Sequence, residues 1–375
     1  VPRVLVSQAG SHVEVSKALL RPFMQDDPLI DELDDICHSA FNFPVPLVQI
    51  DETTEVLELF HGPSAAFKDF GARFLANCFS KMNAGADRPV TILVATSGDT
   101  GGAVASAFWR LSGTQVFVLY PKGKVSVRQE HQLTCWGDNV RSFAVEGVFD
   151  DCQRMVKQAF RDKGWQENFR LSSANSINIG RLLPQMTYYA SSSLEYLARH
   201  GEAPGFVIPS GNLGNAMACI WAREMGYPIR EIAFASNANT PIVDWVNSGE
   251  YKPHETIATL ANAMDVGAPS NVERLMHLYP QAPEFLSAAS VSDDEIREII
   301  RAGESRYGQI FCPHTACAIA VREQLDSPHW VVVSTADPSK FESIVEPLIG
   351  HTVEVPDSLS ALLKRPTSVE DVATL

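Results

Sequence analysis

The chain has 375 residues, 45% of them hydrophobic and 20% charged, with a formal net charge of -15 and a pI near 5.1. That length allows two or three packed units with the apolar content of an ordinary globular enzyme. The acidic balance excludes a general binder of nucleic acid or anionic membrane, but a small anionic substrate can still be held by oriented amides and a few local cations. Seven cysteines, an odd number with no CxxC pair, read as reduced thiols of a cytoplasmic protein. No apolar run has membrane-spanning length and no signal peptide opens the chain. It begins with Val1 rather than Met, so a preceding N-terminal piece is expected.

Residues 1–50 carry few strand signals and an acidic helical stretch at 31–39, and are read as an N-terminal helical unit. A strand is expected at 55–60 and a helix at 65–82, where Phe67, Phe70, Phe74 and Phe79 recur at helical spacing. Ser64 after Pro63 is the expected N-cap, which puts Lys68 in the first turn beside an apolar face. Burial and the positive helix end both disfavour its ammonium form, as a Schiff-base lysine requires. A lysine snorkelling its charge to the surface explains the same pattern, and locally it is the favoured reading.

A buried strand at 90–95 leads into Ala95-Thr96-Ser97-Gly98-Asp99-Thr100-Gly101-Gly102 and a helix at 101–111. The hydroxyls and amides of Ser97, Gly98 and Thr100 suit a carboxylate at a helix start, while an N-cap with a small-residue turn is the plainer account. Strands follow at 115–120 and 140–145, and a helix at 150–160. Asn175, Ser176 and Arg181 then open a helix at 177–199; amide, hydroxyl and guanidinium donors fit a phosphate, or simply cap a helix. The strand at 205–209 runs into Ser210-Gly211-Asn212-Leu213-Gly214-Asn215 and a helix at 215–225. This is a phosphate cradle or an ordinary glycine-rich turn, and neither a P-loop nor GxGxxG.

Beyond a strand at 231–235, the Pro-, Asn- and Ala-rich segment 241–290 reads as an insertion wrapping the outside. Helices are expected at 292–302 and 315–325, and a strand at 330–334 ends at Thr335, whose hydroxyl can face a heteroaromatic nitrogen. A helix cap at Thr335 or Asp337, with Pro338 at the first helical position, is the other reading. The tail after Pro356 is expected to be peripheral. Ten histidines show no HExxH, so no metal is expected; His61 and His314 are the two to watch. Apolar strands alternating with helices predict an α/β fold with parallel sheets.

Taken in order, HGPSAAFKDFGARF, ATSGDTGGAVA, YPKGKVSVRQE, SANSINIGRLLPQ, PSGNLGN, ANAMDVGAPSN, CPHTA and STADPSKF resemble the threonine synthase family of longer bacterial and fungal type. These are pyridoxal-phosphate enzymes of fold type II, and the likeness runs from about residue 51 to about 350. It implies an α/β fold of two open, mostly parallel sheets. The expected division is 1–50, then 51–90 with 205–375 as a large cofactor domain, and 91–204 as a small substrate-side domain.

The resemblance further implies pyridoxal 5'-phosphate on Lys68, with Asp99 near the cofactor 3'-oxygen. Gly211, Asn212, Leu213, Gly214 and Asn215 would hold the cofactor phosphate, and Thr335 would face the pyridine nitrogen. Ser97, Gly98 and Thr100 would hold the substrate carboxylate or phosphate, and Asn175, Ser176 and Arg181 the substrate phosphate. The implied reaction turns O-phospho-L-homoserine and water into L-threonine and phosphate, in a cytoplasmic monomer or homodimer with no nucleic-acid or membrane partner. Another lyase of this fold type, such as a threonine or serine dehydratase or a phospholyase, is the alternative, and a catalytically silent homologue a more distant one. The chain departs from the family at 236–241, one residue short, and at 242–245.

Overall fold

Eleven strands, among the residues described by the computed structural model (10–83, 85–96 and 98–374), build two separate sheets. In chain order they are β1 (Leu47–Gln49), β2 (Thr54–Glu58), β3 (Val90–Ala95), β4 (Thr114–Pro121), β5 (Val140–Glu146), β6 (Arg170–Ser173), β7 (Gly205–Pro209), β8 (Ile232–Ser236), β9 (Leu286–Ser290), β10 (Trp330–Ser334) and β11 (Glu370–Ala373). Ser97, one of the expected substrate contacts, lies outside the described residues.

The first unit comprises the described residues up to Gln25, Phe43–His61 and Leu182–Val353. Its sheet has the order β1-β2-β10-β7-β8-β9, parallel throughout except for the antiparallel β1 edge. β7, β8 and β10 are buried at every residue, which is why they read as unbroken apolar runs. Helix Pro313–Arg322 packs on β7, β8 and β10, and helix His12–Leu20 packs on Met186–His200. The expected helix at 177–199 is broken: Ile179–Leu182 and Met186–His200 are separated by a 3-10 turn over Leu183–Gln185, where Pro184 has no N–H to continue the helical ladder.

The second unit comprises Asp26–Asn42, Gly62–Arg181 and Glu354–Leu375. Its sheet, β11-β5-β4-β3-β6, is parallel throughout. Ile92, Val94, Val116 and Val118 form its core with Phe108 and with Ala72 and Leu75 from helix Lys68–Met82.

This division differs from the expected one in four places, the first being that residues 182–204 belong to the first unit rather than to the small domain. Residues 62–90 group with the smaller sheet, because helix Lys68–Met82 packs on helix Asp99–Phe108. The N-terminal helices are shared out rather than forming a unit of their own: helix Leu33–Ala40 packs on the lysine helix, where Arg73 donates to the Ala40 carbonyl (3.0 Å). The tail after Pro356 supplies β11, pinned by Arg141–Glu370 (2.6 Å) and Lys122–Asp371 (2.8 Å). Nor is 241–290 an outer wrapping. It contributes buried Met264 and Leu275, and its last five residues are β9.

Candidate active site

The carboxyl end of a parallel sheet is where side chains and loop amides converge on ligands. In the second unit that end carries the lysine-bearing motif. Lys68 is the first residue of its helix, with Phe67 rather than Ser64 as the N-cap, and its Nζ lies 4.4 Å from the centroid of the Phe67 ring. Ser64 does not cap because it lies three residues before the cap position, with Ala65 left-handed (φ 52°) in between; its backbone N–H donates to the carboxylate of Asp69 (2.8 Å), which is fully buried. Asp69 in turn supports two guanidinium groups, Arg73 and Arg181; burial lowers the pKa of both and the carboxylate raises it again, leaving Arg181 at about 10. Gly71 is required here: a Cβ would stand 2.6 Å from the Arg181 carbonyl oxygen and 2.9 Å from its Nε.

β3 and β6 are adjacent, so the loops that follow them lie at the same sheet end. After β3, the buried Thr96 hydroxyl accepts the Gly98 (3.0 Å) and Gly101 (2.9 Å) amides, and Gly98 adopts φ 142°, which only glycine takes up freely. The turn sets Asp99 and Thr100 at the start of helix Asp99–Phe108, where amides lack intrahelical partners. After β6, Asn175 is exposed and begins a turn closed by Asn178 N–H to Asn175 C=O (3.0 Å). Arg181 is buried and donates through Nη1 to the Ala174 carbonyl (2.6 Å), so its charge is fixed behind that turn.

Two further residues support this end. Gln129 donates to Asp99 Oδ1 (3.2 Å), and Gln132 donates to the Ser64 carbonyl (3.0 Å). Both come from helix Val127–Thr134, opened by a Ser126/Gln129 capping box. The Ser-x-x-Gln spacing was legible as a helix start. Nothing in it announces which loops the amides reach.

In the first unit β10 and β7 are neighbours, which puts Thr335 and the loop 210–215 at one edge. The loop is a cradle in geometry as well as in composition. Leu213 is left-handed (φ 61°), and helix Gly214–Glu224 starts immediately after it with its first amides unpaired. Gly211 lies so close to the 3-10 turn Asn262–Met264 that a Cβ would stand 2.6 Å from the Met264 Cα. Asn212 is strapped by the Ser270 N–H to its Oδ1 (2.5 Å) and by the Asn271 side chain to its carbonyl (2.8 Å). Asn215 accepts the hydroxyls of Tyr188 (2.5 Å) and Tyr189 (2.8 Å) on Oδ1. Both donors fix its orientation, so the buried Nδ2, which has no partner among the described residues, is an unused donor. An unsatisfied donor, free helix amides and a wall closed to any Cβ fit a phosphoryl group.

The Thr335 hydroxyl has no hydrogen-bond partner among the described residues, and the capping role at this turn falls to Asp337, which accepts the Ser339 N–H (2.8 Å). An uncommitted hydroxyl suits a neutral ring nitrogen. His61 is bonded to Glu58 (2.7 Å), while His314 accepts the Ala263 N–H (3.1 Å). Across the stretch 236–241, Asn237 and Asn239 bond each other (2.9 Å) and tie it to Thr259, Asp265 and Ile257.

The family described as pyridoxal-phosphate dependent enzyme matches residues 44–336, and that described as threonine synthase, C-terminal, matches residues 315–374. A threonine synthase of Serratia marcescens is 38% identical over 356 residues, 94% of this chain and 82% of the relative. One of Haemophilus influenzae is 40% identical over 352 residues, 92% of this chain and 82% of the relative. The crystal structure of pyridoxal-phosphate-bound threonine synthase from Brucella melitensis superposes with a TM-score of 0.91 at 33% identity, covering 98% of this chain and 87% of that one. The chain belongs to the threonine synthase family of pyridoxal-phosphate dependent enzymes.

Proposed function

We propose that the chain converts O-phospho-L-homoserine and water into L-threonine and phosphate, using pyridoxal 5'-phosphate. The observation that carries this reading is Lys68 at the first position of its helix, in a chain that matches threonine synthases over more than nine-tenths of its length. In the balanced reaction phosphate leaves Cγ, Cβ loses a proton and bonds the hydroxyl of water, and the protons released by Cβ and by water are taken up by Cγ and by the departing phosphate.

The cofactor supplies an electron sink for charge that develops beside the amino-acid Cα. The chain does the rest. Gly211, Asn212, Leu213, Gly214 and Asn215 hold the cofactor phosphate on loop amides, the helix start and the spare Asn215 donor. Thr335 offers its hydroxyl to the ring nitrogen, and Asp99, oriented by Gln129, faces the 3'-oxygen. The Lys68 amine, 4.4 Å from the centroid of the Phe67 ring, would hold the cofactor and move protons at Cα, Cβ and Cγ.

Gly98 and Thr100, with Ser97, bind the substrate carboxylate at the start of helix Asp99–Phe108. Asn175 and Ser176 bind the substrate phosphate, with Arg181 supplying the positive charge behind their turn; its burial keeps that charge unscreened. This second anion site separates the reading from a threonine or serine dehydratase, whose substrates carry no phosphate. Among the described residues no helix is long and apolar enough to cross a membrane. We place the enzyme in the cytoplasm, as a monomer or homodimer acting on this small molecule alone.

The test is phosphate release together with threonine formation from O-phospho-L-homoserine, with phosphoserine, threonine and serine as controls. Arg181→Ala is expected to raise KM about tenfold or more while cofactor absorbance stays intact. Deamination of threonine or serine without phosphate release from phosphohomoserine would replace the reading with the dehydratase.

A further inference from the structure

Helix Pro313–Arg322 begins with two buried residues that point to different loops. His314 accepts the Ala263 N–H on Nε2 (3.1 Å), so that nitrogen is unprotonated, and its ring packs on Phe341 with centroids 5.0 Å apart. Ala263 is the middle residue of the 3-10 turn Asn262–Met264, and the next residue, Met264, is the one whose Cα leaves no room for a Cβ on Gly211. The turn is held from its far side as well: Asp265 accepts Asn237 Nδ2 (2.7 Å) and the Thr259 hydroxyl (2.7 Å). The wall of the phosphate loop is therefore the backbone of a short turn, and one imidazole determines where the middle of that turn sits.

Thr315, one residue on, reaches the other way. Its hydroxyl bonds the Ser334 hydroxyl (2.9 Å), and the Ser334 carbonyl accepts the Leu59 N–H (3.0 Å). Ser334 ends β10 and directly precedes Thr335.

We propose that His314 and Thr315 are a pair of positioning residues with divided duties: His314 seats the loop 210–215 through the Ala263–Met264 turn, and Thr315 sets Thr335 through Ser334. The proposal rests on the reading of 210–215 as the cofactor-phosphate cradle and of Thr335 as the partner of the ring nitrogen. A hydrogen bond at the start of one helix thus governs each end of the bound cofactor. Removing the imidazole acceptor leaves a buried N–H unsatisfied and frees the turn to move against Gly211.

The experiment measures the affinity of cofactor-stripped protein for pyridoxal 5'-phosphate and for pyridoxal, which lacks the phosphate. His314→Phe keeps a ring and loses the acceptor. It is expected to weaken the phosphorylated ligand about tenfold or more and pyridoxal less than about threefold. His314→Gln, which restores an acceptor, is expected to recover most of the loss. Thr315→Val is expected to weaken both ligands by the same factor and to shift the absorbance of the bound cofactor. Ala263→Pro deletes the same hydrogen bond from the donor side and carries the test should the Phe variant not fold.

Equal weakening of both ligands by His314→Phe, or no weakening of either, would overturn the division of duties. Gly211→Ala and Asn215→Ala serve as references. If they lower the preference for the phosphorylated ligand and His314→Phe does not, the His314 proposal fails and the cradle stands. If they leave that preference unchanged, the cradle reading fails and takes the proposal with it.

Discussion

On the function proposed above, the two sheet ends would hold an anionic ligand in opposite ways. In the first unit the loop 210–215 offers backbone: a left-handed Leu213, free helix amides, and a glycine pressed against another main chain. Side chains there act at one remove, as Tyr188 and Tyr189 do in turning the Asn215 amide. In the second unit the corresponding end is built from ionic side chains: buried Asp69 and Arg181, half-buried Arg73, and Asp99 held by Gln129. A backbone cradle suits a ligand that stays bound, because its dipoles are fixed when the chain folds and need no reorganisation. Charged side chains suit a substrate and product that come and go, because strong interactions concentrate in a few groups whose removal changes affinity without dismantling the loop.

That contrast can be broken at several points. Lys68→Ala removes the reactive amine itself and carries the largest effect: threonine formation is expected to fall by about a thousandfold or more, with loss of the cofactor–lysine absorbance band. Retained activity would remove Lys68 from the chemistry. Asp69→Asn then tests the ionic end. It leaves a fully buried Arg181 without its carboxylate, and a loss on the order of 3–5 kcal/mol in urea unfolding is expected. A loss below about 1 kcal/mol would show that Arg181 does not depend on Asp69.

The first unit has its own enclosed carboxylate for comparison. Asp265 is held by neutral donors and faces the like charge of Asp293, and burial raises its pKa from 3.8 to about 6. Between those values the folded chain binds more protons than the unfolded chain, so this residue's contribution to stability is present below pH 3.8 and lost as pH rises through about 6. Relative to Asp265→Asn, the unaltered chain should lose on the order of 1–2 kcal/mol across that window, after discounting for partial exposure. Parallel stability curves for the two proteins would refute it. The smallest effect is expected at the rim, where Glu370→Ala breaks an exposed pair with Arg141 and should cost less than about 1 kcal/mol.

How much of this was legible in the sequence follows a physical line. The seven strands expected from the sequence, β2 to β5, β7, β8 and β10, are the interior strands of the two sheets. The four that gave no signal, β1, β6, β9 and β11, are the edges. Interior strands bury residues on both faces and read as apolar runs; β11 has burial on a single residue of its four, only partial, and reads as tail. The site divides in the same way. Lys68, the 210–215 loop and Thr335 stood out as candidates because each sits near a place where a strand gives way to a turn or helix start, while Asp99 was singled out only by the family resemblance. Gln129, Gln132, Tyr188 and Tyr189 were not, since a glutamine or tyrosine on a helix looks the same whichever loop it reaches. The expected cap at Ser64 failed because the chain turns through a left-handed Ala65 and the helix starts only at Lys68.

The sequence by itself determined the α/β class, the interior strands, the chemically distinctive loops and the order of motifs that marks the family. Only the tertiary structure decided that the lysine helix packs with the smaller sheet, that the last residues close that sheet as β11, that residues 264, 270 and 271 pack against the loop 210–215, and that His314 touches the turn at 262–264. The first group rests on interactions within a few residues, where composition and period carry the information. The second rests on contacts between residues far apart in the chain, 229 positions for Arg141 and Glu370, and such contacts are decided by which surfaces must leave water together.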